Sequence, residues 1–143
     1  RLPDVQLTLR NVRNGLLVYA PVLVFALYGM VHGLRRRDPF APASLVCFLA
    51  FTYLFASWWA WWFGGAFGHR AYIDLLPVLA LPLGHGLVSL REHSRWSARV
   101  TMTLVVLFTA YTFLLTYQYE PPWDGPDWDR EAWWDKVKQI WGG

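Results

Sequence analysis

The residues best suited to chemistry stand together in one stretch, WWAWWFGGAFGHRAYID at 58–74. Glycine lets backbone amides approach a ligand closely, and arginine grips a phosphate through two parallel hydrogen bonds. Gly64, Gly65, Gly68, His69 and Arg70 therefore read as a site for the phosphate of a lipid headgroup. The competing reading is an aromatic belt followed by a flexible turn. Arg70 and Asp74 are four residues apart, so on an α-helix they share a face and form a structural ion pair. That pair makes Asp74 tolerable at a membrane edge and also orients Arg70. His69 can exchange a proton near neutral pH. With only Asp74 as a nearby carboxylate, no reaction is assigned and no catalytic residue is expected.

Two further histidines, His32 and His85, fall within apolar segments, where an ionisable group is a functional candidate. A neutral imidazole can ligate the magnesium of a bacteriochlorophyll, and Gly29, Gly84 and Gly86 leave room for a flat ring. Against that, both histidines lie near segment ends, where the ring reaches water or headgroups. Glu92 and His93 are the only close pair of potential metal ligands. Adjacent residues on a loop make a poor metal site, so no metal is expected. The single cysteine, Cys47, lies in an apolar segment and reads as inert packing. There is no Walker loop, no GxGxxG, no CxxC and no HExxH. The arginines flank apolar segments and form no stripe with base-stacking aromatics, which excludes nucleic acid as a partner.

These residues must be positioned by membrane helices. The chain has 143 residues, 55% hydrophobic and 16% charged, and its charges cluster. None falls between Arg13 and Arg35, from Pro39 to Gly68, from Leu75 to Leu90 or from Val100 to Tyr119. Crossing a bilayer takes about 20 mostly apolar residues. The pattern predicts an all-α, polytopic integral membrane protein with four transmembrane helices near 15–34, 41–63, 71–90 and 99–119. Pro77 and Pro82 interrupt the third. Short basic loops stay in the cytoplasm. Arg35, Arg36 and Arg37 and the later Arg91, Arg95 and Arg99 then share the cytoplasmic side. Both termini and the Trp-rich loop lie outside. An outside N-terminus without a signal peptide predicts that the chain is the C-terminal part of a larger architecture.

Residues 120–143 form a second region, an extracytoplasmic tail after the transmembrane domain of 1–119. Its prolines and Gly125 stop the fourth helix. Trp133, Trp134, Val137, Ile140 and Trp141 then recur on one helical face, with Asp129 as N-cap. This predicts a short amphipathic helix lying flat in the outer interface. The alternative is that the same face docks on a partner or on the loop above the spans. Trp58, Trp59, Trp61, Trp62, Trp133, Trp134 and Trp141 are the expected interface anchors. The tail carries six acids against Arg130, Lys136 and Lys138, which argues against strong attraction to anionic lipid.

The runs NGLLVYAPVLVFALYG (14–29) and WWAWWFGGAFGHRAYIDLLPVLALPL (58–83), with an Arg-rich loop between them, resemble the C-terminal membrane region of bacterial GT-C glycosyltransferases of the protein-mannosyltransferase type. The resemblance covers roughly 14–90. It implies a bacterial cytoplasmic membrane protein derived from or related to enzymes that use polyprenyl-phosphate sugar donors. It also implies that Gly64, Gly65, Gly68 and Arg70 face the side where such enzymes work. The catalytic aspartate of that family sits in a large first outside loop, for which this chain has no counterpart. The expectation is a non-catalytic subunit that contacts lipids and other integral membrane subunits as a scaffold. A pigment–protein photosynthetic complex is one candidate host. The alternative is a C-terminal fragment of a polyprenyl-phosphate-sugar-dependent transferase.

Overall fold

The charge-free stretches become helices. The computed structural model describes residues 5–12, 14–60, 67–120 and 128–142, and among these there is no strand. In chain order the helices are α1 (Val5–Arg10), α2 (Leu16–Tyr19), α3 (Val24–Arg35), α4 (Phe40–Ser57), α5 (Leu76–His93), α6 (Arg95–Tyr117) and α7 (Arg130–Gly142). Two 3-10 turns, Pro21–Leu23 and Arg70–Leu75, lead into α3 and α5. Among the described residues three segments are long and apolar enough to cross a membrane, Phe40–Ser57, Arg70–His93 and Arg95–Tyr117, each with an 18-residue window of mean hydropathy 1.7. At about 1.5 Å per residue, even the shortest covers about 27 Å, close to the ~30 Å hydrocarbon core.

The expected first span, 15–34, is not one helix. Proline has no N–H and pushes the residue before it out of the α region. Ala20 accordingly sits at φ −133°, ψ 63°, between α2 and the turn that opens at Pro21. What remains is a shorter apolar helix, Pro21–Arg35, so among the described residues three segments rather than four reach spanning length. The break is closed from outside: the Thr112 hydroxyl of α6 lies 2.9 Å from the Tyr19 carbonyl and 3.0 Å from the carbonyl of Phe108.

The other boundaries also shift. α4 ends at Ser57, not at 63, and the Ser57 hydroxyl donates to the Tyr53 carbonyl at 2.7 Å. Such back-bonding competes with the helical ladder. Pro77 does not interrupt the third span but stands in the first turn of α5, where a missing N–H costs nothing. Pro82 lies inside α5. The expected loop at 91–98 shrinks to one residue. α5 runs to His93 and α6 starts at Arg95, with the Ser94 side chain accepting from the Ser97 N–H at 3.0 Å. Arg91, Arg95 and Arg99 are thus helical residues on either side of a tight corner.

α3 and α5 cross at their glycines. A Cβ on Gly29 would collide with the Pro82 carbonyl and come within 2.9 Å of the Gly86 nitrogen. A Cβ on Gly86 would collide with the Phe25 carbonyl. Small residues let helix backbones approach this closely, and close packing is what associates helices in lipid. His32 meets Ser89 one turn further on, so the two helices run in the same direction and their basic ends share one end of the bundle. Around this crossing Leu23, Ala26, Met30, Phe48, Tyr72, Leu75 and Leu79 form the main core. A second cluster of Tyr19, Leu115, Trp128 and Val137 ties α7 to α2 and α6.

Candidate functional site

The Gly-His-Arg stretch is divided by the fold. Gly64, Gly65, Trp61 and Trp62 lie outside the described residues. Gly68 is buried at φ +69°, a conformation that suits glycine, and a Cβ there would press to 3.3 Å from the Tyr19 Cβ. His69 is 5% exposed. Its ring packs against those of Phe55 (5.6 Å) and Tyr72 (4.7 Å, edge-on), which also meet each other at 5.0 Å. Arg70 is exposed. Gly68, His69 and Arg70 line a cavity of about 170 Å³ together with Leu16, Tyr19 and Thr112. Its wall is mostly apolar, and Arg70 is the cation on it. The arrangement therefore offers one guanidinium beside an apolar recess, with the histidine packed into aromatic rings.

The expected Arg70–Asp74 ion pair is absent: among the described residues no ion pair joins these two side chains, and both are exposed. The cause is local. Residues 70–75 form a 3-10 helix, in which positions three apart eclipse and positions four apart diverge.

The residues of NGLLVYAP (14–21) have structural work, and Leu16, Tyr19 and Ala20 of the run line this same recess. Asn14 is buried at φ +59°. A Cβ on Gly15 would meet the Asn11 carbonyl at 2.5 Å. Leu16 is in the core, and the Tyr19 hydroxyl donates to the Val12 carbonyl at 2.6 Å. The Trp128 N–H donates to the same carbonyl at 3.3 Å. Tyr72 on the opposite wall donates its hydroxyl to Thr52 Oγ1 at 2.8 Å, both side chains being buried.

The two candidate pigment ligands, His32 near the end of α3 and His85 in the middle of α5, border a polar cavity of about 560 Å³. His85 Nδ1 is 2.8 Å from Asp38 Oδ2. His32 Nδ1 is 3.4 Å from Ser89 Oγ, and its ring stacks on Tyr28 with centroids 5.8 Å apart. The room expected from Gly29 and Gly86 is filled by the helix crossing, whereas Gly84 faces open space. Gly29 and Gly86 therefore leave no space for a flat ring between the two helices. Glu92 and His93 border the same cavity at the end of α5, not on a loop. No three His, Cys, Asp or Glu side chains among the described residues converge as a metal site. Asp38 is the residue that sequence reasoning passed over. Its Oδ1 accepts from the Phe40 N–H at 3.0 Å, and an Asp-Pro-Phe run before an apolar helix is a capping signal.

The tail helix also departs from expectation. Asp129 is the N-cap, its Oδ1 accepting from the N–H groups of Glu131 and Ala132 at 2.9 Å each. Yet α7 docks on the chain's own helices, with Ala132, Trp133, Val137 and Ile140 packed in the cluster around Tyr19 and Leu115. Trp133 is thus a packing residue, while Trp134 and Trp141 stay 49% and 74% exposed. At the end of α4, Trp58 and Trp59 are exposed as anchors would be.

The fold defines a class: among the described residues the protein is all-helical, with three segments long and apolar enough to cross a membrane. No family model matches the chain, and neither curated proteins nor solved structures give a match.

Proposed function

We propose that this chain is a non-catalytic integral membrane subunit, a scaffold that packs against lipids and neighbouring membrane subunits in the bacterial cytoplasmic membrane. The observation that carries this reading is incomplete burial. Only 28%, 22% and 11% of the apolar windows of the three long segments are buried within the chain. Val46, Leu49, Tyr53 and Leu54 of α4 and Val106, Phe113 and Leu114 of α6 point outward. Faces this large and apolar need lipid or other helices. The broken segment 15–35 supplies the fourth crossing. The arginine-rich ends lie in the cytoplasm, and both termini lie outside.

Cross-linking from a cysteine placed at Leu49, in native membranes, tests the scaffold. Reproducible linkage to one integral membrane subunit is expected. Recovery of the uncross-linked chain alone, from both Leu49 and Phe113 positions, overturns the assembly reading. Labelling of cysteines at Arg37 and Trp59 from outside the cell tests the orientation, with Trp59 reactive and Arg37 protected.

A second reading is the end of a polyprenyl-phosphate-dependent GT-C transferase. It is favoured by one observation: the two runs that carry the resemblance meet around one recess, with Leu16 and Tyr19 facing Gly68, His69 and Arg70. Lipid-phosphate recognition there would use Arg70. An Arg70→Ala chain that retains as much polyprenyl phosphate as the parent removes that role. An intact mass several spans larger in native membranes would favour the transferase over the scaffold.

A further inference from the structure

Two hollows adjoin on α7 and share the rings of Trp133 and Trp134. One is a groove of about 520 Å³ between α7 and α6, lined by Leu107, Phe108, Tyr111 and Leu114 and by Val137 and Trp141 of α7. It follows α6 from Leu107 to Leu114, about 10 Å. The other, about 660 Å³, adds Arg130, Glu131, Asp135 and Lys138 to the two shared tryptophans. Residues four apart on a helix form one row. Arg130, Trp134 and Lys138 are such a row, and Glu131 and Asp135 are the row beside it. Two cations and two acids thus flank an exposed tryptophan at the mouth of an apolar trough. Lys138 and Asp135 meet at 2.9 Å, but both are well exposed, so a ligand can compete for either.

This juxtaposition matches an amphiphile with balanced charge. The groove opens from α6, whose apolar window is the least buried of the three, at the surface where acyl chains lie. A partner helix does not match as well, since it would cover four charged side chains with apolar surface and strip them of water. Tryptophan belongs at such a boundary, and Trp134 stands half-exposed there.

We propose that the α6–α7 groove holds an acyl chain of a zwitterionic membrane phospholipid whose headgroup rests in the charged hollow across Trp133 and Trp134. The phosphate faces Arg130 and Lys138, and the ammonium faces Glu131 and Asp135. The proposal rests on the membrane reading above.

The test is intact-complex mass spectrometry of the full chain in detergent, loaded with dioleoyl phosphatidylethanolamine or with dioleoyl phosphatidylglycerol. One phosphatidylethanolamine is expected per chain, with phosphatidylglycerol held about tenfold more weakly. Leu107→Trp fills the groove from a half-exposed position and should abolish retention. Arg130→Gln with Lys138→Gln leaves the groove intact and should weaken phosphatidylethanolamine about tenfold. This surface pair stands as an independent test if Leu107→Trp disturbs helicity. Equal retention of both lipids, or retention unaffected by the charge pair, overturns the proposal. So does undiminished retention in a folded Leu107→Trp chain. A chain that needs detergent yet keeps no phosphatidylethanolamine refutes the lipid site and leaves the membrane reading standing. A chain soluble without detergent refutes both.

Discussion

Asp38 and His85 meet at 2.8 Å, carboxylate to imidazole, and so join the loop after α3 to the middle of α5. The other carboxylate oxygen of Asp38 caps Phe40 at the start of α4. One side chain thus coordinates three helices at the end of the bundle that carries Arg35, Arg36 and Arg37.

Loss of Asp38 should therefore cost more than loss of His85. Asp38→Ala removes a cap and the imidazole contact, about 1–2 kcal/mol together. His85→Ala removes only the contact, and its ring is half-exposed, so about 0.5 kcal/mol is expected. The double variant should fall short of the sum by roughly that contact energy. Thermal unfolding of the four proteins in detergent, followed by circular dichroism, completes the cycle. Strict additivity would show that the two groups do not interact.

The glycines of α3 and α5 make a sharper contrast. Gly29→Ala and Gly86→Ala each drive a methyl group into the backbone of the facing helix, and backbone cannot swing aside. Overpacking of this kind costs about 1–3 kcal/mol. Gly84→Ala meets nothing within 4 Å and should be neutral, or stabilising by up to about 1 kcal/mol through helix propensity. Equal melting temperatures for Gly29→Ala and Gly84→Ala would mean that the crossing is not tight.

The contrast also marks what a sequence can convey. The helical class and the three long apolar segments were legible because charge is excluded from each over some twenty residues. The Asp129 cap was legible because it is local. The partnership of Gly29 with Gly86 was not, because a contact between two helices leaves no periodic trace in either. Read singly, these glycines suggested room for a ring, and paired they leave none. The Arg70–Asp74 pairing failed for a different reason. An i,i+4 pair needs α geometry, and the chain ahead of Pro77 winds more tightly. The break at Ala20 was available from Pro21 alone, but a long charge-free run outweighed it. At the candidate site, sequence placed Gly68, His69 and Arg70 together. It did not show that His69 turns inward among Phe55 and Tyr72.

Thr112 offers a test of how the break at Ala20 is held. Its hydroxyl is shared between its own helix and the Tyr19 carbonyl, which ties α6 to the end of α2. Thr112→Val keeps the shape and removes the donor. A buried carbonyl left without its partner costs about 1 kcal/mol, within the range found for hydrogen bonds between membrane helices. Hydrogen exchange should then rise at residues 19–24 and remain unchanged in α4. A uniform rise across all helices would argue that Thr112 acts on global stability and not on this junction.

The corner after α3 carries strain that can be removed. Arg37 has φ +57°, in the left-handed region. The flanking bonds, Asp38 N–H to Gly33 O at 2.9 Å and Arg37 N–H to Leu34 O at 3.2 Å, are those of a Schellman cap, where glycine is the favoured residue. An L-residue pays about 1 kcal/mol there. Arg37→Gly should therefore raise the melting temperature in detergent, an unusual outcome for deleting a side chain. The same variant lowers the positive charge at this end of the bundle, and by the positive-inside argument it should weaken retention of the loop in the cytoplasm. Arg37→Lys separates the two effects, since it keeps the charge and the strain. Stability should rise only for glycine, and orientation should change only where charge is lost. If lysine and glycine stabilise alike, backbone strain at residue 37 is not the cause.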